Sequence, residues 1–145
     1  MTATHRRALV LDANILIRAV LGTQVRNLIL EYYGNVLFFT PQVCVDDARR
    51  YLPDILASRG VDPASAMALL DGLLTYIQPL EAEWLEEYGA VAKARLASRD
   101  PDDWPVLAAA LALSCPIWTQ DADFFGVGVA TWTSEHVIGY LKNPH

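Results

Sequence analysis

Asp12 interrupts an apolar run. It follows Ala8-Leu9-Val10-Leu11 and precedes Ala13-Asn14-Ile15-Leu16-Ile17. Burying an unpaired carboxylate is expensive, so an acid in this setting must be hydrogen-bonded, ion-paired or bound to a cation. It either caps a helix from Ile15 onward, a task Asn14 can do equally well, or it holds a metal. Three further groups of acids stand out: Asp46-Asp47, the run Asp100-Pro101-Asp102-Asp103, and Asp121-Ala122-Asp123. Carboxylates drawn together from such distant points suit hard divalent cations. Mg²⁺ and Mn²⁺ take oxygen ligands, keep several waters and bind phosphate oxygens.

Each group has its own alternatives. On a helix, Cys44, Ala48, Tyr51, Leu52 and Ile55 form one apolar face; at about 100° per residue Asp46 points away from it and Asp47 lies on its border. Asp46 also precedes Arg50 by four residues, the favourable order for an exposed ion pair. Asp46 therefore reads as solvated, and Asp47 as the acid able to look into a cleft. In the 100–103 run one Asp suffices as a helix cap, and Pro105 already removes an orphan N–H in the first turn. Like charges packed this closely repel unless a cation offsets them, so spacing leaves cap and metal site both open. Asp121 and Asp123 are either turn residues or ligands. Asp121, nearer a strand end, is the better ligand, and Asp123 suits a cap for a short helical turn.

The elements that must position these acids follow from periodicity. Residues 8–11 read as a buried strand ending at an acid. Residues 15–21 and 25–33 read as a helical hairpin around Gly22-Thr23, and 36–40 as a second strand. A helix then starts at Thr40-Pro41 and runs to about 58, with Pro53 expected to bend or interrupt it. Asp62-Pro63 caps the next helix, 64–76. A helix over 82–97 follows, then an Ala/Leu-rich helix to 113. Residues 116–119 form a third strand, again ending at an acid, and 127–131 a fourth. Ser134 caps a final helix to 141. Short strands alternating with helices predict a three-layer α/β/α sandwich with a short, mainly parallel central sheet. Ligands bind such sheets at the C-terminal ends of the strands, where Asp12 and Asp121 fall.

With 145 residues, no repeat and no Gly/Ser/Pro-rich linker, residues 1–145 read as one domain. Charged residues make up 19%, below the usual quarter or so, which argues against disorder. No apolar run approaches the roughly 20 residues that span a bilayer, and the N-terminal stretch lacks the unbroken apolar core of a secretory signal. The expectation is a cytoplasmic protein with no membrane contact. Cys44 and Cys115 make no metal-ligand spacing and read as small buried apolar side chains. The net charge of −6 opposes binding to a polyanion, unless the acids gather around divalent cations that reverse the local sign.

In order along the chain, these residues resemble the PIN-domain nucleases. The resemblance runs from residues 9–16, a strand followed by Asp12-Ala13-Asn14, to residues 117–124, with Thr119-Gln120-Asp121. Between them, Val45-Asp46-Asp47-Ala48-Arg49-Arg50-Tyr51-Leu52 is similar to the place of the family's second acid. Asp100-Pro101-Asp102-Asp103-Trp104-Pro105-Val106-Leu107-Ala108 is similar to the third, an Asp one turn before an Ala-rich helix. The resemblance implies a PIN-like fold with Asp12, Asp47, Asp103 and Asp121 as catalytic, metal-binding acids. Asn14, Thr119, Asp102 and Asp123 support them. The family commonly carries Glu where this chain has Asp47, a side chain shorter by about 1.5 Å; metal would then be held there through water or by closer approach of the helix.

The implied activity is Mg²⁺- or Mn²⁺-dependent hydrolysis of RNA phosphodiesters, leaving 5′-phosphate and 3′-hydroxyl ends. No histidine suits a general base: His5 and His145 are terminal, and His136 falls on the last helix. Arg49, Arg50, Lys93, Arg95 and Arg99 are the densest basic positions near the acids and read either as an RNA-binding rim or as solvated helix surface. A stand-alone domain of this size resembles the VapC-like toxin of a bacterial toxin–antitoxin pair, which implies a homodimer and a small antitoxin partner; a housekeeping RNA-processing role fits the residues equally. The competing reading is a PIN-like module without chemistry that binds RNA or protein. A phosphatase with an Asp nucleophile fits poorly, because position 14 is Asn and Lys occurs only at 93 and 142. Trp84, Trp104, Trp118 and Trp132 read as core residues, one exposed Trp being enough for an interface.

Overall fold

The computed structural model describes residues 7–142. Five strands, β1 (Arg7–Leu11), β2 (Val36–Pro41), β3 (Ile77–Leu80), β4 (Ile117–Trp118) and β5 (Thr131–Trp132), form one sheet in the order β3-β2-β1-β4-β5. Every pairing is parallel. The central strand is apolar without alternation, and Leu9, Val10 and Leu11 are fully buried, as a strand covered on both faces requires.

Among the described residues, eight helices flank the sheet: α1 (Ala13–Leu21), α2 (Gln24–Tyr32), α3 (Gln42–Ser58), α4 (Pro63–Leu73), α5 (Ala82–Leu85), α6 (Gly89–Arg95), α7 (Trp104–Leu113) and α8 (Val137–Lys142). The chain steps outward from β1 to β3, then crosses back to lay β4 on the other side of β1. Right-handed crossovers in opposite directions put α1–α4 on one face and α5–α7 on the other. Helices α1, α3 and α4 pack together, while α7 lies against β1, β2, β4, α5 and α6. Val106 through Ala110 of α7 are all buried, so this helix is apolar all round because it has no solvent face. The direction of winding reverses between β1 and β4, which opens a crevice beyond their carboxyl ends.

The structure departs from the sequence reading at identifiable points. Strand β3 was not expected, since it has four residues and contains Pro79; it lies at the sheet edge, where proline is tolerated. Helix α3 runs unbroken through Pro53, held by buried Leu52 and Leu56 on either side. The helix expected over 82–97 divides into α5, a 3-10 turn (Glu86–Tyr88) and α6. At the start of α6, Gly89 packs under Trp104, where a Cβ would come within 3.3 Å of the ring. The fourth expected strand shifts to Thr131–Trp132 because Gly126 and Gly128 take positive φ. Ser134 does not cap the last helix, which starts at Val137; its buried hydroxyl accepts from Trp118 Nε1 at 3.1 Å.

Candidate functional site

Register brings the first two side chains together. Leu11 pairs with Trp118 across β1 and β4, so the next residues, Asp12 and Thr119, leave the sheet side by side. The Asp12 N–H donates to the Trp118 carbonyl at 3.2 Å. Thr119 Oγ1 donates to Asp12 Oδ2 at 2.8 Å. Asn14 Nδ2 donates to the same oxygen at 3.0 Å, and the Ala13 N–H to Oδ1 at 2.7 Å. Of the two tasks that the sequence left open, Asp12 performs the cap: its side chain caps α1 through the Ala13 N–H. Asn14 is a support rather than the cap: its Oδ1 accepts from the Gln120 N–H at 3.1 Å.

Thr119 continues the chain of contacts. Its hydroxyl accepts from the Asp121 N–H at 2.9 Å. Asp121 Oδ1 in turn accepts from the Asp123 N–H at 2.9 Å and caps the 3-10 turn Ala122–Phe124, so the cap expected of Asp123 is supplied by Asp121. From the other face of the sheet, α7 brings Asp103. Asp100 accepts from the Asp102 N–H at 3.1 Å and caps the 3-10 turn Pro101–Asp103. Asp103 stands before α7 without a capping hydrogen bond from its side chain. The capping need is met by Asp100, and Asp103 is left for the crevice. Carboxylate oxygens of Asp103, Asp121 and Asp123 all lie within 4.8 Å of one another, the one such group of three acids among the described residues.

Electrostatics mark the cost of this convergence. Burial raises the Asp12 pKa, with the charge of Asp121 adding to it and the Thr119, Ala13 and Asn14 hydrogen bonds working against it. Asp103 is pushed up to about 7, first by burial and then by the charges of Asp12, Asp100, Asp121 and Asp123. Among the described residues, none of Asp12, Asp103, Asp121 and Asp123 forms an ion pair with a basic side chain. Repelling carboxylates without a protein counter-ion, all hard oxygen donors, fit Mg²⁺ or Mn²⁺.

Other candidates sit differently. Asp47 Oδ1 pairs with Arg50 at 2.9 Å, and Asp47 is not one of the three converging acids. Arg50 therefore takes Asp47, three residues away, and not Asp46, which accepts from Gln42 instead at 3.0 Å. Asp102 lines a separate groove of about 330 Å³ with Asp46, Glu81 and Glu83. Arg49 pairs with Asp71 of α4 at 2.7 Å. Lys93 lies 4.9 Å over the Trp104 ring. Arg95 and Arg99 donate to backbone carbonyls of Val127 and Asp123. His136 is exposed in the turn before α8, while His5 and His145 lie outside the described residues. Trp118 is fully buried and Trp84 is 52% exposed. Cys44 and Cys115 are both free and buried. The sequence reading gave Gln120 no role of its own and Ser134 only that of a cap; Gln120 links Asn14, through its N–H, to the Ser134 N–H, which donates to Gln120 Oε1 at 2.6 Å. Their signal was faint, a glutamine between two polar site residues.

The profile of the PIN domain matches residues 10–142, a span that contains every acid described above. The chain belongs to the PIN-domain family. Its fold is likewise that of solved PIN-like structures. The VapBC2 structure from Rickettsia felis, bound to a DNA fragment from its promoter, superposes with TM-score 0.68 at 13% identity, over 87% of this chain and 98% of that one. PAE2754 from Pyrobaculum aerophilum gives TM-score 0.73 at 18% identity, over 94% and 98%. FitAcB from Neisseria gonorrhoeae gives 0.55 at 21%, over 88% and 99%. At these identities the likeness is one of fold. No curated protein sequence matches the chain significantly. Within the described residues of this PIN domain, no helix is long and apolar enough to cross a membrane.

Proposed function

We propose that this PIN domain, a single domain over residues 1–145, is a metal-dependent endoribonuclease. The observation that carries the reading is the convergence of Asp103, Asp121 and Asp123 at the reversal point of the sheet, beside the buried carboxylate of Asp12. These four acids would hold Mg²⁺ or Mn²⁺. Bound there, the cation would supply Lewis acidity, lowering the pKa of water and offsetting charge on a scissile phosphate. The chain's own part is to hold the donors rigid. Thr119 and Asn14 fix the Asp12 carboxylate, Asp121 fixes the turn bearing Asp123, and the buried end of α7 fixes Asp103. Without a cation, burial and the neighbouring acids push the Asp103 carboxyl up to about 7.

The likeness in fold to the VapBC2 and FitAcB structures supports a toxin of a toxin–antitoxin pair, acting in the cytoplasm as a homodimer and restrained by a small antitoxin. Two buried free cysteines suit a reducing compartment. A second reading, a PIN domain that binds RNA or protein without cutting, is favoured by one observation: Asp47 stands where the family commonly has Glu and is occupied by Arg50. Cleavage of single-stranded RNA in Mg²⁺ or Mn²⁺, abolished by chelation and by Asp103→Asn or Asp121→Asn, supports the nuclease. Cation-independent RNA binding with no cleavage supports the module.

A further inference from the structure

Arg95, at the end of α6, and Arg99, in the segment after it, reach the same loop. Arg95 Nη1 donates to the Val127 carbonyl at 3.1 Å, and Arg99 Nη1 to the Asp123 carbonyl at 3.0 Å. This loop joins β4 to β5 and carries two of the three converging acids. Its backbone is shaped to receive the two guanidinium groups. Gly128, at φ +90°, lies so close that a Cβ there would come 2.8 Å from Arg95 Nη1. At Gly126, φ +82°, a Cβ would come 3.5 Å from Arg99 Nη2.

Both backbone polar groups of Asp123 are thereby engaged. Its N–H donates to Asp121 Oδ1, and its carbonyl accepts from Arg99. Asp121 is itself held through Thr119. The turn is fastened to β4 on one side and to the α6–α7 segment on the other, and the Asp123 carboxylate projects from it toward Asp103 and Asp121. Each guanidinium commits its Nη1 to a carbonyl of this loop, which ties the arginine to the backbone that carries the acids.

We propose that Arg99, seconded by Arg95, is a positioning residue for Asp123: it sets the geometry of the metal centre instead of contacting RNA. The inference rests on the metal-centre reading of the preceding subsection. Groups that orient metal ligands from behind are each worth about 10–100-fold in metal affinity.

The test titrates the full chain with Mn²⁺ by calorimetry, comparing the unmodified protein with Arg99→Met, Arg95→Met, Arg99→Lys and Asp103→Asn. Each variant is checked by circular dichroism, and its affinity for a short single-stranded RNA is measured against salt without metal. Arg99→Met is expected to weaken Mn²⁺ binding about tenfold or more, Arg95→Met less, with Arg99→Lys recovering part of the loss. The salt dependence of RNA binding is expected to stay unchanged. Unchanged Mn²⁺ affinity in Arg99→Met, with binding lost in Asp103→Asn, overturns the positioning role and leaves the metal centre standing. A fall of about 0.7 in the salt slope marks a lost single-strand phosphate contact and overturns it too. Loss of the folded signal in Arg99→Met and Arg99→Lys assigns the arginine to the fold and also overturns it. No Mn²⁺ binding in the unmodified chain overturns the centre itself.

Discussion

Thr119 Oγ1 lies 2.8 Å from Asp12 Oδ2 and donates its one proton there, while accepting the N–H of Asp121. A single buried hydroxyl thus links the acid at the end of β1 to the acid beyond β4. It adds a side-chain link between two segments more than a hundred residues apart that the Asp12 N–H and the Trp118 carbonyl already join through the backbone. Its third partner, Asn14, donates to both Thr119 and Asp12, so these three side chains are mutually bonded.

Thr119→Val keeps the shape and removes the hydroxyl. Asp12 loses a donor in a buried bond, and the Asp121 N–H loses its acceptor in a part-buried one. Leaving such groups unsatisfied costs about 1–3 kcal/mol, readable by chemical denaturation without metal. Mn²⁺ affinity measured by calorimetry is expected to fall by about 10-fold or more as well.

The metal-free protein is expected to lose stability as pH rises from about 4 to about 7. Asp103 titrates at 3.8 when unperturbed and at about 7 in the fold. Between these values the folded state binds more protons than the unfolded state, so the slope of unfolding free energy against pH is negative. The contribution is whole below the lower value and is lost as pH climbs through the upper one. Asp103→Asn removes this part of the slope. Thermal unfolding across pH, in chelator, checks both statements.

Asp100→Asn retains a good capping residue and removes one of the charges that raise Asp103. The Asp103 pKa is expected to move down toward its ordinary value, with little change in stability. Carboxyl titration by nuclear magnetic resonance reads the shift directly.

Asp47→Asn breaks only the exposed pair with Arg50. Such pairs are worth about 0–1 kcal/mol, so stability changes little. Because Asp47 stands outside the converging trio, Asp47→Asn is expected to weaken Mn²⁺ binding less than Asp103→Asn or Asp121→Asn. Calorimetric titration of the three variants side by side gives the order.

Much of this arrangement was legible in the chain because acids at strand ends are expensive to place anywhere else. Asp12 and Asp121 could be located from the apolar runs before them, and the parallel sheet from the alternation of strands and helices. The cluster at 100–103 could not be resolved by spacing, since a cap and a ligand demand the same residue type; only the contact from Asp100 to the Asp102 N–H separates their roles. Asp47 illustrates the opposite difficulty. Helical periodicity put it at the edge of the apolar face, but the choice of Arg50 between Asp46 and Asp47 depends on rotamers that sequence does not carry. Strand β3 was hidden by its length and by Pro79. Arg95 and Arg99 looked like surface charge because their acceptors are backbone carbonyls, which leave no mark in composition.

The central claim is that Asp12, Asp103, Asp121 and Asp123 form one divalent-cation centre. Anomalous scattering from crystals soaked in Mn²⁺ tests it most directly. A peak is expected among the carboxylates of Asp103, Asp121 and Asp123, with Asp12 beside it, and is expected to vanish in Asp103→Asn. Fully occupied Mn²⁺ elsewhere on the molecule, with these carboxylates free of metal, would contradict it.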